Sequence, residues 1–392
     1  MTITADVVVA GGGVIGTAIA WRAAAAGLDV VLVDPGHGDA ASLVAAGMLA
    51  PVSESLFGEG ALLRVNLLAV RRFPSFAAEL EEATGHDVGL RGEGTLAIAY
   101  DPGDLAALQR LTAFRRSAGL DAEELDSRAC RKLEPFLTPD VHGGVLFAGD
   151  WSVDNRRYAA ALRDAAAAAK VRLTRDRVTG VRVRDGRVSG ARLADGGEVD
   201  SAAVVVAAGC WSGAVDGLPG PLRSVVRPVK GQLLRLRHPE GMPPVISHTI
   251  RATVRGVDVY LVPRADGEMI VGATSEERGP DLTVTAGAVH DLLRDAMSVL
   301  PVTSELILAE TCAGLRPGTP DNGPVVGGCG VEGLLLATGH YRNGILMSPV
   351  TADAIVSLLA GREPAAEWQP FTPGRFISER FTGGRPTGGG DR

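Results

Sequence analysis

Unbroken apolar runs and stretches of strict alternation divide this chain into elements. Val7-Val8-Val9 has no polar interruption, as expected of a strand buried on both faces of a parallel sheet. A helix is expected over 14–26, Gly27 stops it, and residues 28–33 form a second strand. Over 62–84 apolar residues recur at Leu63, Leu67, Val70 and Leu80, a helical spacing. A strand at 95–100, a charged helix at 105–117 and a helix at 154–170 follow, the last with Asp154 or Asn155 as candidate N-cap. Residues 171–199 alternate as strands joined by turns at Asp185-Gly186 and Asp195-Gly196. "AAVVVAAGCWS" (202–212) is another buried run, ending in Gly209. Residues 230–308 alternate again, interrupted by a helix at 288–299, before a last strand and helix over 333–360. The order reads as α/β plus α+β: a parallel-sheet domain into which an antiparallel second domain is inserted.

Composition narrows the function. The chain of 392 residues is 46% hydrophobic and 22% charged, a globular balance. Net charge is −7 with no basic block, which leaves nucleic-acid binding without an electrostatic footprint. Only three of 39 basic residues are lysines (Lys132, Lys170, Lys230), so an arbitrary arginine here is a surface residue unless its position says otherwise. The four cysteines show no metal-ligand spacing, no metal site is expected, and the absence of a disulfide framework suits a reducing cytoplasm. Residues 7–21 are apolar, but Asp6 and the glycines at 11, 12, 13 and 16 argue against a signal sequence. No other run reaches the ~18 residues of a spanning helix, so no membrane role is expected. The Gly-rich tail 382–392, part of a final segment 377–392, reads as disordered.

"VVVAGGGVIG" opens the chemistry. Gly11, Gly13 and Gly16 supply G-x-G-x-x-G between a strand and a helix: a tight turn, close backbone approach to a pyrophosphate, and close helix–strand packing. The N-terminal N–H groups of the helix would face the phosphates. Asp34, 18 residues after Gly16, is placed to accept from a ribose hydroxyl and disfavours a 2′-phosphate. Dinucleotide binding follows, with NAD and FAD both open. In "ASLVAAGMLAP" (41–51), Ala45-Ala46-Gly47 would let a flat ring lie against backbone, with Met48 covering it. Farther on, Tyr260 lies on a β-pattern strand, Arg316 lies in a loop of turn formers, and "GHYRNGIL" sets His340, Tyr341, Arg342 and Asn343 directly after an apolar strand.

Six segments in order, "VVVAGGGVIG", "AAGMLAP", "RPVKGQ", "YLVPR…VGAT", "GLRPGTPDN" and "GHYRNGIL", resemble the D-amino-acid-oxidase-like flavoprotein superfamily. Within it they resemble the glycine oxidases of the thiamine pathway, over nearly the whole chain up to about residue 376. The resemblance implies a glutathione-reductase-like FAD-binding domain (1–88, 152–228, 312–376) and an antiparallel-sheet substrate domain (89–151, 229–311). It implies FAD contacts at Gly11, Gly13, Val14, Ile15, Gly16, Asp34, Pro35, Ser42, Ala46, Gly47 and Met48. Val178 would offer its backbone to the adenine, and Gly209, His340, Tyr341, Arg342, Asn343, Gly344, Ile345 and Leu346 complete the set. The helix opening after Asn343 would aim its positive end at the flavin.

The same resemblance gives Arg316 and Tyr260 the substrate carboxylate, Arg342 a second substrate contact, and Met48 and Ser275 the pocket wall. Ser275 stands where bacillus-type glycine oxidases have methionine. Gly314 stands where sarcosine oxidases have the cysteine that holds flavin covalently, so FAD is expected to be non-covalent. The implied reaction takes a hydride from the α-carbon of glycine to flavin N5, giving an imino acid, then glyoxylate and ammonia, with oxygen reduced to hydrogen peroxide, in thiamine thiazole synthesis or a natural-product pathway. No protein acid or base is assigned, and a homotetramer is implied. A D-amino acid dehydrogenase, a sarcosine or other N-methyl-amine oxidase, and a non-catalytic amino-acid sensor are the alternatives.

Overall fold

Val7 and Val9 face one way and Val8 and Ala10 the other, and all four are buried, so strand Ile3–Ala10 has a core on each side. The computed structural model, which describes residues 3–36, 41–254 and 256–377, places this strand centrally in an eight-stranded sheet. Val30–Val33 and Arg172–Thr174 lie on one side of it. Glu198–Val206, Leu334–Thr338 and Val325–Gly328 lie on the other. All these neighbours pair in parallel except the last strand. The hairpin of Val178–Arg184 and Arg187–Leu193 attaches antiparallel to Glu198–Val206.

Parallel neighbours need crossovers, and helix Val14–Ala25 makes the first. It joins Gly60–Thr84, Asn155–Ala168 and Gly344–Leu359 on the Val7/Val9 face. Of the two candidate caps the structure uses Asp154, which accepts from the N–H groups of Arg156 and Arg157 at 2.9 and 3.0 Å. Asn155 is instead fully buried and donates to the carbonyl of Ser42 at 2.8 Å. The helix expected at 105–117 begins at Pro102, because Asp101 caps it and proline suits the first helical position.

A second eight-stranded sheet runs in the order Ile307–Gly318, Arg227–Arg237, Glu268–Gly272, Val257–Pro263, Thr249–Val254, Thr95–Ala99, Gly143–Phe147, Glu123–Leu125. It is antiparallel except where Thr249–Val254 meets Thr95–Ala99, which departs from the all-antiparallel expectation because those strands come from separate stretches of chain. One face, with Leu96, Leu234, Ile250, Leu261 and Val271, packs on helix Ala286–Val299 through Leu292, Ala296 and Val299. The other, with Leu233, Val262 and Ile270, lies over Val44 and Ala46 of the first unit, and so forms a roof. Strands Arg227–Arg237 and Ile307–Gly318 each run unbroken across the expected boundaries at 228/229 and 311/312. Among the described residues no helix is long and apolar enough to cross a membrane, and no His/Cys/Asp/Glu cluster could hold a metal. The tail 378–392 lies outside the described residues; Ile377 ends a short helix, Gly374–Ile377.

Candidate active site

A cavity of about 690 Å³ opens where the first sheet meets the roof. At one end strand Ile3–Ala10 gives way to Gly11, whose φ of +108° and close approach to Ala207 exclude a side chain: a Cβ would lie 2.5 Å from the Ala207 carbonyl oxygen. A Cβ on Gly16 would sit 1.8 Å from the Gly11 carbonyl oxygen. Gly16 therefore seats the helix against the turn and does not itself line the cavity. The N-cap residue Gly13 has no side chain with which to cap the helix that follows, and Gly13, Val14 and Ile15 line the cavity at its positive end. Ser42 Oγ accepts from the Val14 N–H at 3.4 Å. Asp34 accepts from the N–H groups of Gly12 and Gly36 at 3.1 and 3.2 Å, which holds its carboxylate beside the glycine turn. Pro35, Val178 and Gly209 line the same end. So do Arg175, Arg177 and Trp211, which sequence reasoning missed because nothing in their immediate neighbours marks them.

At the other end the chain passes through Ala46, Gly47 and Met48. Gly47 has φ +74°, and a Cβ there would meet the Val153 carbonyl oxygen at 2.0 Å. The segment is held from above by Arg264, a buried residue of the roof that donates to the Ala46 carbonyl at 2.5 Å and to Asn155 Oδ1 at 3.4 Å. Burial pulls the Arg264 pKa down to about 10, against the opposing pull of Asp154. Sequence reasoning gave Arg264 no role. Its signal was a cation at the end of an apolar strand, which burial obliges to find carbonyl partners.

"GHYRNGIL" closes this end. The Tyr341 N–H donates to the Pro317 carbonyl at 3.1 Å, tying the turn to the roof strand, and helix Gly344–Leu359 begins with no side-chain cap. His340, Tyr341, Arg342, Gly344 and Ile345 line the cavity. Asn343 lines a small adjoining pocket instead, and Leu346 is buried in the core behind. The His340 ring points away into the helix, with Nε2 3.0 Å from Thr351 Oγ1. Burial lowers its pKa to about 3, so the imidazole is neutral. Arg342 is exposed, with its guanidinium over the Tyr341 ring at 5.0 Å.

The roof contributes Arg316 and Tyr260. Arg316 does not lie in a loop: it pairs with Val229 inside strand Ile307–Gly318. That strand is at the sheet edge, where Pro317 is tolerated because one side of the strand needs no partner. The Arg316 guanidinium lies across Gly231, where a Cβ would come within 2.2 Å, and donates to the Thr274 carbonyl at 3.1 Å. Tyr260 lies across Gly272, where a Cβ would be 2.4 Å from the hydroxyl. Two glycines thus clear the space into which both side chains reach. Burial raises the Tyr260 pKa while Arg316 pulls it down, so the hydroxyl stays protonated and can donate. Ser275 departs from the expectation: it is exposed and does not line the cavity, although its neighbours Thr274 and Glu276 still pair with Gln232 and Lys230 of the roof strand Arg227–Arg237. Glu54, which sequence reasoning also missed, lines the cavity and pairs with Arg251 at 2.6 Å.

A model of the family described as FAD dependent oxidoreductase matches residues 6–358. The chain belongs to this family. The glycine oxidase of Geobacillus kaustophilus is 33% identical over 97% of this chain and 99% of that protein. Its crystal structure superposes with a TM-score of 0.87, covering 95% and 98% of the two chains. The bifunctional protein ThiO/ThiG of Synechocystis sp. is 34% identical over 96% of this chain but 55% of its own length. The chain thus spans about half of the bifunctional relatives it matches and nearly all of those named glycine oxidase.

The cavity suits FAD. Two glycines without room for a Cβ and an uncapped helix N-terminus form the cradle a pyrophosphate needs, with Asp34 beside it. The apolar 45–48 segment and the uncapped start of helix Gly344–Leu359 form the other end. These residues would hold the cofactor of this FAD-dependent oxidoreductase.

Proposed function

We propose that the protein oxidises the carbon–nitrogen bond of glycine, or of a comparably small amino acid such as sarcosine or a small D-amino acid. With glycine the imino acid hydrolyses to glyoxylate and ammonia, and oxygen is converted to hydrogen peroxide. What carries this reading is the meeting of Arg316 and Tyr260 at the flavin end of the cavity, each lying across a glycine that leaves it room. FAD, when bound, supplies the two-electron acceptor. Arg316 binds the substrate carboxylate through two parallel charge-assisted hydrogen bonds, which orient as well as anchor it. The protonated Tyr260 hydroxyl donates a further bond to that carboxylate. Arg342, exposed at the turn, draws the anionic end of the substrate inward. Met48, Leu233 and Val44 give the reacting carbon apolar surroundings from which water is excluded. His340, neutral and turned into the helix, moves no proton. Gly314 faces Val44 at close range and offers no thiol, so FAD is held without a covalent bond.

The relatives named glycine oxidase support the substrate class, and an imino-acid product suits thiamine thiazole synthesis, the role the sequence resemblance implies. The deciding measurement is the visible spectrum of the anaerobic holoprotein before and after glycine. Bleaching reversed by air, with peroxide formed, supports the reading. A spectrum unchanged by glycine, sarcosine and D-alanine overturns it.

A further inference from the structure

Glu54 brings to the cavity a charge that the reaction above does not use. Its Oε1 accepts from Arg251 Nη1 at 2.6 Å, while Oε2 has no hydrogen-bond partner among the described residues. Arg251 is the cross-strand neighbour of Tyr260, so the pair stands beside the hydroxyl that meets the substrate. Tyr260 senses both sides: Arg316 favours its ionised form and Glu54 opposes it.

The segment that carries Glu54 is fastened with unusual effort. Buried Asp150 accepts from the N–H groups of Val52 and Ser53 at 3.1 and 3.2 Å. Buried Arg115 donates to the carbonyls of Ser53 and Ser55 and to Ser55 Oγ at 3.3 Å. Burying two charges costs desolvation free energy, and the side chain they fix toward the cavity is Glu54. Beyond it lies a small pocket that Glu54 shares with Glu59, Asn66 and Arg342, in which Asn66 Oδ1 is buried without a partner. The carboxylates of Glu54 and Glu59 and the Asn66 amide oxygen thus stand together on this wall, as the donors of Arg316 and Tyr260 do on the other.

An α-amino acid is a zwitterion and presents opposite charges a few ångströms apart. We propose that Glu54 receives the substrate's ammonium group while Arg316 and Tyr260 hold its carboxylate, so that the site selects amino acids over simple carboxylic acids. This rests on the oxidase reading.

The test compares glycine with acetate, which keeps the carboxylate and lacks the amine, on the holoprotein. Glycine is followed by turnover, acetate by inhibition and by its perturbation of the flavin spectrum. Glu54→Gln is expected to raise the glycine KM roughly 10- to 100-fold while acetate affinity stays within about twofold. Glu54→Asp should restore part of the glycine affinity. Arg251→Met separates a merely structural role: it removes the ion pair but should leave the ratio of glycine to acetate affinity near that of the wild type. Equal weakening of both ligands by Glu54→Gln, or of neither, overturns the proposal while the wild type still oxidises glycine. A wild type that oxidises no small amino acid overturns the oxidase reading itself, and this proposal with it.

Discussion

Arg316 and Gly231 form a pair that works only together. A guanidinium reaches the cavity because residue 231 has no Cβ. Arg316→Leu should raise the KM for amino acids by on the order of 100-fold, with FAD retained, as read from kinetics and the visible spectrum. An unchanged KM would remove Arg316 from carboxylate binding. Gly231→Ala should act more subtly. The clash falls on the far end of a flexible side chain, so the fold survives, but the guanidinium moves, and the KM should rise about 10-fold with little change in melting temperature. The prominence of Arg316 was legible in the sequence only through its motif, since most arginines of this chain are surface residues. The role of Gly231 was not legible, because it depends on the diagonal neighbour across a strand pair that sequence spacing does not reveal.

At the scale of elements, the glycine turn was legible because all its parts lie within some thirty consecutive residues. The segment 50–56 was not, because its clamps Asp150 and Arg115 lie roughly sixty to a hundred residues away and nothing local announces them. The strand bearing Arg316 was masked by its own proline and glycines, which read as a loop until an edge position in the sheet explains them. These buried groups also set a pH signature. Burial raises the Asp150 carboxyl to about 6, so the folded state holds more protons than the unfolded between about pH 4 and 6, and stability falls as pH rises through that window. His340 acts in reverse: lowered to about 3, it leaves the unfolded state with more protons below about pH 6.5, and stability falls on acidification. Between pH 4 and 6 the two oppose each other, each by up to about 1.4 kcal/mol per pH unit. Denaturant melts of Asp150→Asn should therefore show a steeper loss of stability on acidification than the wild type. Parallel pH curves for the two would show that Asp150 is not buried as a shared acceptor.

On the scale of the whole molecule, the cavity is walled by both sheets, so cofactor and fold are thermodynamically linked. Apoprotein melted at rising FAD should gain about 2.7 kcal/mol when free FAD reaches 100 times its dissociation constant. A melting temperature indifferent to FAD would mean that the cavity binds something else. The proposed non-covalent attachment would make this experiment possible, and release of the yellow chromophore into the supernatant on acid precipitation checks it. The two-part plan was legible from the switch between unbroken and alternating apolar runs. Single strands run from one expected segment into the next without a break in pattern.

The order in which the chain supplies the cavity has a consequence during synthesis. The glycine turn is made within the first twenty residues, yet Leu334–Thr338 and the turn at 339–345 that complete the opposite wall come more than three hundred residues later. A ribosome-bound chain halted near residue 330 would carry the phosphate cradle without a site for the ring. Loading of the cofactor should thus await the segment 334–345, and an emerging chain that turns yellow should already have placed strand Leu334–Thr338.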